Sequence, residues 1–93
     1  MPNKVNASHI LVKTEQEANV ALYDVTHGKK FEDVAMQISL CPSKKNGGNL
    51  GWFGRNKMVR EFENAAFSLK VGEVSRPVKT EFGWHIIKVN DSQ

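Results

Sequence analysis

Cysteine is almost missing from this chain. The 93 residues hold one, Cys41, which excludes an internal disulfide and any metal site made of cysteines alone. A lone thiol fits a reducing compartment. No apolar run approaches the ~20 residues a membrane-spanning helix needs. Met1-Pro2-Asn3-Lys4-Val5 has no apolar stretch that would serve as a secretion signal, so cytoplasmic residence is expected. Repeats, linkers and low-complexity segments are also missing, and 1–93 reads as one domain near the lower size limit for a self-sufficient core. Gly47, Gly48, Gly51 and Gly54 crowd together, but no Gly-Lys-Ser/Thr follows them. A phosphate-cradling loop is therefore unsupported, and turns at positive φ around a short strand are the simpler account.

What is present is ordinary for a globular protein: 40% hydrophobic and 25% charged residues. Thirteen basic against 10 acidic residues give a net charge of +3, which a solvated surface explains without a partner. Lys44, Lys45, Arg55, Lys57 and Arg60 do share a segment with no acidic residue, and Lys29-Lys30 forms a smaller cluster. Electrostatic association with an anionic membrane surface or nucleic acid stays open through these clusters; no obligatory nucleic-acid partner is expected.

Hydrophobic periodicity sets the elements. Asn6–Lys13 alternates as a strand, with Ala7, His9 and Leu11 on one face and Ile10 and Val12 on the other. Apolar residues on both faces predict a central strand. Thr14 and Glu17 form a capping box, after which Ala18, Ala21, Leu22 and Val25 make a helical stripe that Gly28 ends. Phe31, Val34, Ala35 and Ile38 mark a second helix, which must stop before Pro42, and Glu32 and Asp33 suit its N-terminal dipole. Leu50–Phe53 reads as a brief strand inside the polar stretch Ser43–Gly54. Met58, Phe62, Ala65, Ala66 and Leu69 share the face of a third helix that closes near Gly72. Val74–Lys79 contains Pro77 and so predicts an edge strand. Phe82–Asn90 is the last strand, with His85, Ile87 and Val89 on one face after a tight Glu81-Phe82-Gly83 turn. The expected class is α+β, a small antiparallel sheet with helices packed on it.

Several segments resemble the parvulin family of peptidyl-prolyl cis/trans isomerases. They are His9-Ile10-Leu11-Val12-Lys13, Cys41-Pro42-Ser43, Gly47-Gly48-Asn49-Leu50-Gly51-Trp52-Phe53, Met58, Phe62-Glu63-Asn64-Ala65-Ala66-Phe67, Val71-Gly72-Glu73-Val74 and Phe82-Gly83-Trp84-His85-Ile86-Ile87-Lys88. One segment alone would be a weak signal, but together they cover nearly the whole chain in order. The resemblance implies a four-stranded sheet in the order β-α-α-(short α)-β-α-β-β. It implies that His9 and His85 lie side by side beneath the active site, with Cys41 and Thr80 completing a polar tier of catalytic residues. Leu50, Met58 and Phe62 would hold a proline ring, with Trp52 and Phe82 also in contact with substrate. Phe62 is expected to line an open cup rather than be fully buried. The implied partners are proline-containing polypeptides, the implied state is a monomer acting in protein folding, and no metal or cofactor is implied.

The residues themselves leave rivals open. Histidines on apolar strand faces are often satisfied core residues, and Met58 and Phe62 at helical spacing read first as packing. Cys41 with a histidine base would make a thiol hydrolase. His9, Cys41 and His85 would make a scattered metal site. A module that binds proline segments without turnover needs the same pocket. Phosphate-directed parvulins carry a long arginine-bearing loop after the first strand. Here Val12-Lys13-Thr14 runs straight into a helix, and no WW-type module accompanies it, so the chain resembles the minimal, non-phosphospecific branch.

Overall fold

The computed structural model describes residues 2–93. Its elements are β1 (Lys4–Val12), α1 (Glu15–Thr26), α2 (Phe31–Ile38), a 3-10 turn (Pro42–Asn46), β2 (Asn49–Gly54), α3 (Arg60–Ser68), β3 (Val78–Thr80) and β4 (Gly83–Ser92). The strands form one antiparallel sheet in the order β2-β1-β4-β3. The α+β class and the four-stranded sheet are as expected. The expected short helix is a 3-10 turn, and the edge strand shrinks to three residues, with Val74 reaching Lys88 through an isolated bridge.

β1 is central because both its faces are needed. Val5 and Ala7 join Ile87 and Val89 of β4 against Phe62, Ala66 and Phe67 of α3. Ile10 and Val12 join Ile86 against Ala18 and Ala21 of α1 and Phe31, Val34 and Ala35 of α2. The sheet is thus sandwiched between α3 on one face and α1 with α2 on the other. Thr14 caps α1 as its spacing predicted, its Oγ1 accepting from the amide of Glu17 at 3.1 Å.

Two helix expectations need correction. Ile38 is 38% exposed, because the chain leaves α2 in extended conformation at Ser39 and buries Ser39 instead. Ser39 Oγ accepts from the amide of Leu11 at 3.1 Å, and Leu40 N donates to Leu11 O at 2.8 Å. These bonds occupy the edge of β1 that β2 has already left, since the β1–β2 ladder ends at Ser8↔Asn49. Met58, placed on the third helix from its spacing, lies before α3 begins at Arg60.

Gly48 ties the glycine-rich loop to the same strand. His9 N donates to Gly48 O at 2.9 Å, and Gly48 has φ +87° with a hypothetical Cβ only 2.4 Å from His9 O. Any side chain there must push the loop off β1. Gly48→Ala is expected to cost about 2 kcal/mol or more, a fall of roughly 8–16 °C in melting temperature. Gly51→Ala, with a similar φ of +75° but nothing within 4 Å of the new Cβ, should cost less. Equal melting temperatures for the two variants would contradict this account of Gly48.

Candidate active site

His9 and His85 meet because β1 and β4 are neighbours. His85 pairs with Leu11 and His9 with Ile87, so the two imidazoles are diagonal neighbours on the α3 face. Their Nδ1 atoms lie 2.9 Å apart, and the rings are nearly parallel with centroids 5.1 Å apart. His85 Nε2 lies 2.7 Å from Thr80 Oγ1, which also accepts from Phe82 N at 3.2 Å. Proton accounting selects a direction along this chain. If Thr80 donates to His85 Nε2 and His85 Nδ1–H donates to His9, only His9 Nε2 is left over. The reverse order would also strand the Thr80 hydroxyl proton. His9 Nε2 is indeed buried without a hydrogen-bond partner among the described residues.

Phe62 stands perpendicular to both histidines, at 5.4 Å from His9 and 5.3 Å from His85. It is 3% exposed and packs on Phe53. Phe62 lines the cup as expected, but the expectation that it would not be fully buried is corrected, since its ring is core on one side and cavity wall on the other. Above the pair opens a cavity of about 490 Å³ whose lining includes His9, His85, Leu50, Met58, Phe62 and Phe82. Leu11, Leu40, Cys41, Pro42, Lys57 and Val59 complete it. Leu40 and Phe82 are 54% and 62% exposed, so the rim is apolar and open.

Two expected site residues are placed differently. Trp52 does not line this cavity. Val5↔Phe53 and Asn6↔Trp52 are paired, so Phe53 turns to the α3 face and Trp52 to the other, 42% exposed. Strict alternation would send Leu50 with Trp52. The register shift between Ala7 and Ser8, together with Gly51 at φ +75°, turns Leu50 into the cavity instead. Cys41 lines the cavity, but its thiol makes no hydrogen bond to either histidine among the described residues. The polar tier is Thr80–His85–His9 without Cys41. Leu11 was already on the His9 face by alternation. Leu40, Val59 and Lys57 had no signal in the sequence, because loop geometry brings them in.

Burial governs the electrostatics. It lowers His9 from 6.5 to about 4, with the charge of neighbouring His85 adding to the effect. Burial likewise lowers His85 to about 4. Both rings are neutral at pH 7, so the cavity floor offers hydrogen-bonding groups without charge. The unfolded imidazoles bind protons near 6.5 and the folded ones only near 4, so the unfolded state holds more protons in between. Stability is therefore full above pH 6.5 and falls as the pH drops towards 4. Melting curves from about pH 7.5 to about pH 5 should show a loss of about 2 kcal/mol for each histidine. A melting temperature unchanged over that range would mean that the pair is solvated or already charged.

Residues 5–91 match the rotamase family model, described as a PPIC-type PPIase domain. The chain is 55% identical over 91 residues to the foldase protein PrsA of Geobacillus kaustophilus, a match covering 97% of this chain and 32% of that protein. It thus spans about a third of the length of such curated relatives. Among solved structures, it superposes on the peptidylprolyl isomerase PrsA of Bacillus anthracis with a TM-score of 0.97 at 42% identity, covering 99% of this chain and 43% of that one. The parvulin of Nitrosopumilus maritimus matches with a TM-score of 0.88 at 47% identity, over 98% of this chain and 99% of that one.

Proposed function

The chain belongs to the PPIC-type rotamase family, and we propose that it catalyses cis/trans rotation about Xaa-Pro bonds in flexible or unfolded polypeptides, as a folding helper and without a covalent intermediate. One observation carries the mechanism: an apolar cup closed at its floor by two neutral, mutually bonded imidazoles. Rotation about a peptide bond is opposed by ~18–20 kcal/mol of lost amide resonance, and the prolyl bond turns over only in tens to hundreds of seconds unaided. The twisted amide has less charge separation than the planar one. A largely apolar cup with an uncharged floor therefore favours it relative to water. Leu50, Met58 and Phe62 grip the pyrrolidine ring, Phe62 as a flat wall and Met58 as an adaptable one. His9, His85 and Thr80 hold the floor rigid and the strands in register. Phe82 and Leu40 cover the flanking chain.

A thiol hydrolase fits poorly. It needs a base hydrogen-bonded to the nucleophile, whereas among the described residues the Cys41 thiol bonds to neither histidine, and His85 is engaged by His9 and Thr80. A metal site fits poorly as well, because among the described residues no three His, Cys, Asp or Glu side chains converge. Cytoplasmic residence belongs to the same proposal, the lone Cys41 being compatible with a reducing compartment, and so does a monomeric state; cell fractionation tests the first and sedimentation equilibrium the second.

A protease-coupled assay on a proline peptide tests the activity, and binding without acceleration would leave only a proline-segment binder. Cys41→Ser should keep kcat/KM within about threefold, since polarity and size suffice there; complete loss with an intact fold would revive a covalent route. Phe62→Ala should cost about 3–5 kcal/mol of stability, so the ring's role in turnover is read from the milder Phe62→Leu. That variant should stay folded and lose kcat/KM at least tenfold. Full activity in Phe62→Leu would remove the ring from the mechanism.

A further inference from the structure

The cup carries one charged side chain on its lining. With the histidines neutral, Lys57 is the lone cation among otherwise apolar or uncharged residues. Lys57 also lines a second, smaller groove of about 380 Å³, together with Lys4, Trp52, Phe53 and Gly54. The two depressions therefore adjoin at this residue.

The loop that carries Lys57 is fastened to α3. Arg55 Nη1 donates to Glu63 Oε2 at 3.1 Å, and its guanidinium sits 4.5 Å over the Phe67 ring. The amide of Asn56 donates to Glu63 Oε1, with Asn56 at φ 68°. Lys57 thus stands between the clamped Asn56 and the cup residue Met58. Glu63 is occupied by Arg55 and Asn56, and among the described residues neither Lys57 nor Lys4 forms an ion pair. An exposed ammonium on a flexible stem, beside an exposed indole and a second lysine, lacks only an anion.

We propose that the groove shared by Lys57, Trp52 and Lys4 is a subsite for an acidic side chain of the client, a Glu or Asp flanking the proline held in the cup. This rests on the isomerase reading and names the substrate class it favours. The Lys57 ammonium faces the client carboxylate, the Trp52 ring supports the adjoining chain, and Lys4 adds positive potential at the far end. A point charge without an arginine fork gives a modest, salt-sensitive preference.

The test uses pairs of proline peptides that differ only by Glu against Gln, at each position flanking the proline. Affinity is read from amide and Trp52 indole chemical shifts, and turnover from kcat/KM. At low ionic strength the Glu peptide should lead about threefold to fivefold at one position, fading with added salt. Lys57→Gln should bring the ratio to one, and Lys57→Arg should keep it. A wild-type ratio of one at every position, or a ratio that survives Lys57→Gln, would overturn the subsite. If no peptide is isomerised, the isomerase reading fails by itself, because the affinity ratio still reports on the groove.

Discussion

β1 lies against β4 in the middle of the sheet, and neither strand has a stable place without the other. The two come from opposite ends of the described chain, and the histidines they juxtapose are 76 positions apart. Closing so long a loop is entropically costly, and the return comes on both faces at once. Ala7, Ile87 and Val89 complete the core under α3, while Ile10, Val12 and Ile86 complete the one under α1 and α2. The cup is a by-product of that pairing. Its floor, His9 and His85, exists only when β1 and β4 are in register, and a one-residue slip of either strand would send its own ring to the opposite face and part the pair.

Neutrality is the second constraint. Each imidazole, taken from water alone, would leave polar nitrogens unpaired at about 1–3 kcal/mol apiece. Bonding to each other and to Thr80 removes most of that cost and leaves His9 Nε2 as the residual. The same burial that lowers both pKa values leaves the floor of the cup uncharged at neutral pH. Near neutral pH the pair stays uncharged at no cost in stability, and that cost appears only in acid.

The rim is held by backbone bonds that leave its side chains free. Leu40 is pinned through its amide to Leu11 O, next to His9 in β1. Phe82, in the two-residue turn between β3 and β4, donates its amide to Thr80 Oγ1. Both apolar side chains remain exposed. Their main chains are already fixed, so only side-chain freedom remains to be lost in a contact made there. The Glu63 clamp does the same for the Lys57 loop.

By itself the sequence determined whatever depends on near neighbours. Thr14 and Glu17 start α1 through a local capping bond. The two apolar faces of Asn6–Lys13 demanded a central strand, and Glu81-Phe82-Gly83 closed a tight turn where Thr80 pairs with Gly83. The ordered family segments also located His9, His85, Leu50, Met58 and Phe62, and the resemblance they carry implied Thr80; all of these lie at the cup or in its floor. The tertiary structure decided what depends on more distant partners. Trp52 and Leu50 look equivalent by alternation, and only the register shift opposite Ala7 and Ser8 sends one out and the other in. Ile38 looks like core until Ser39 is seen taking the amide of Leu11. Cys41 reaches the cavity without reaching the histidines, and Lys57, one of several loop cations, stands on a wall shared by two depressions. Periodicity assigns a side chain to a face of its own element. Which neighbour covers that face is settled by strand register and loop path, and those are fixed by residues far away in the chain.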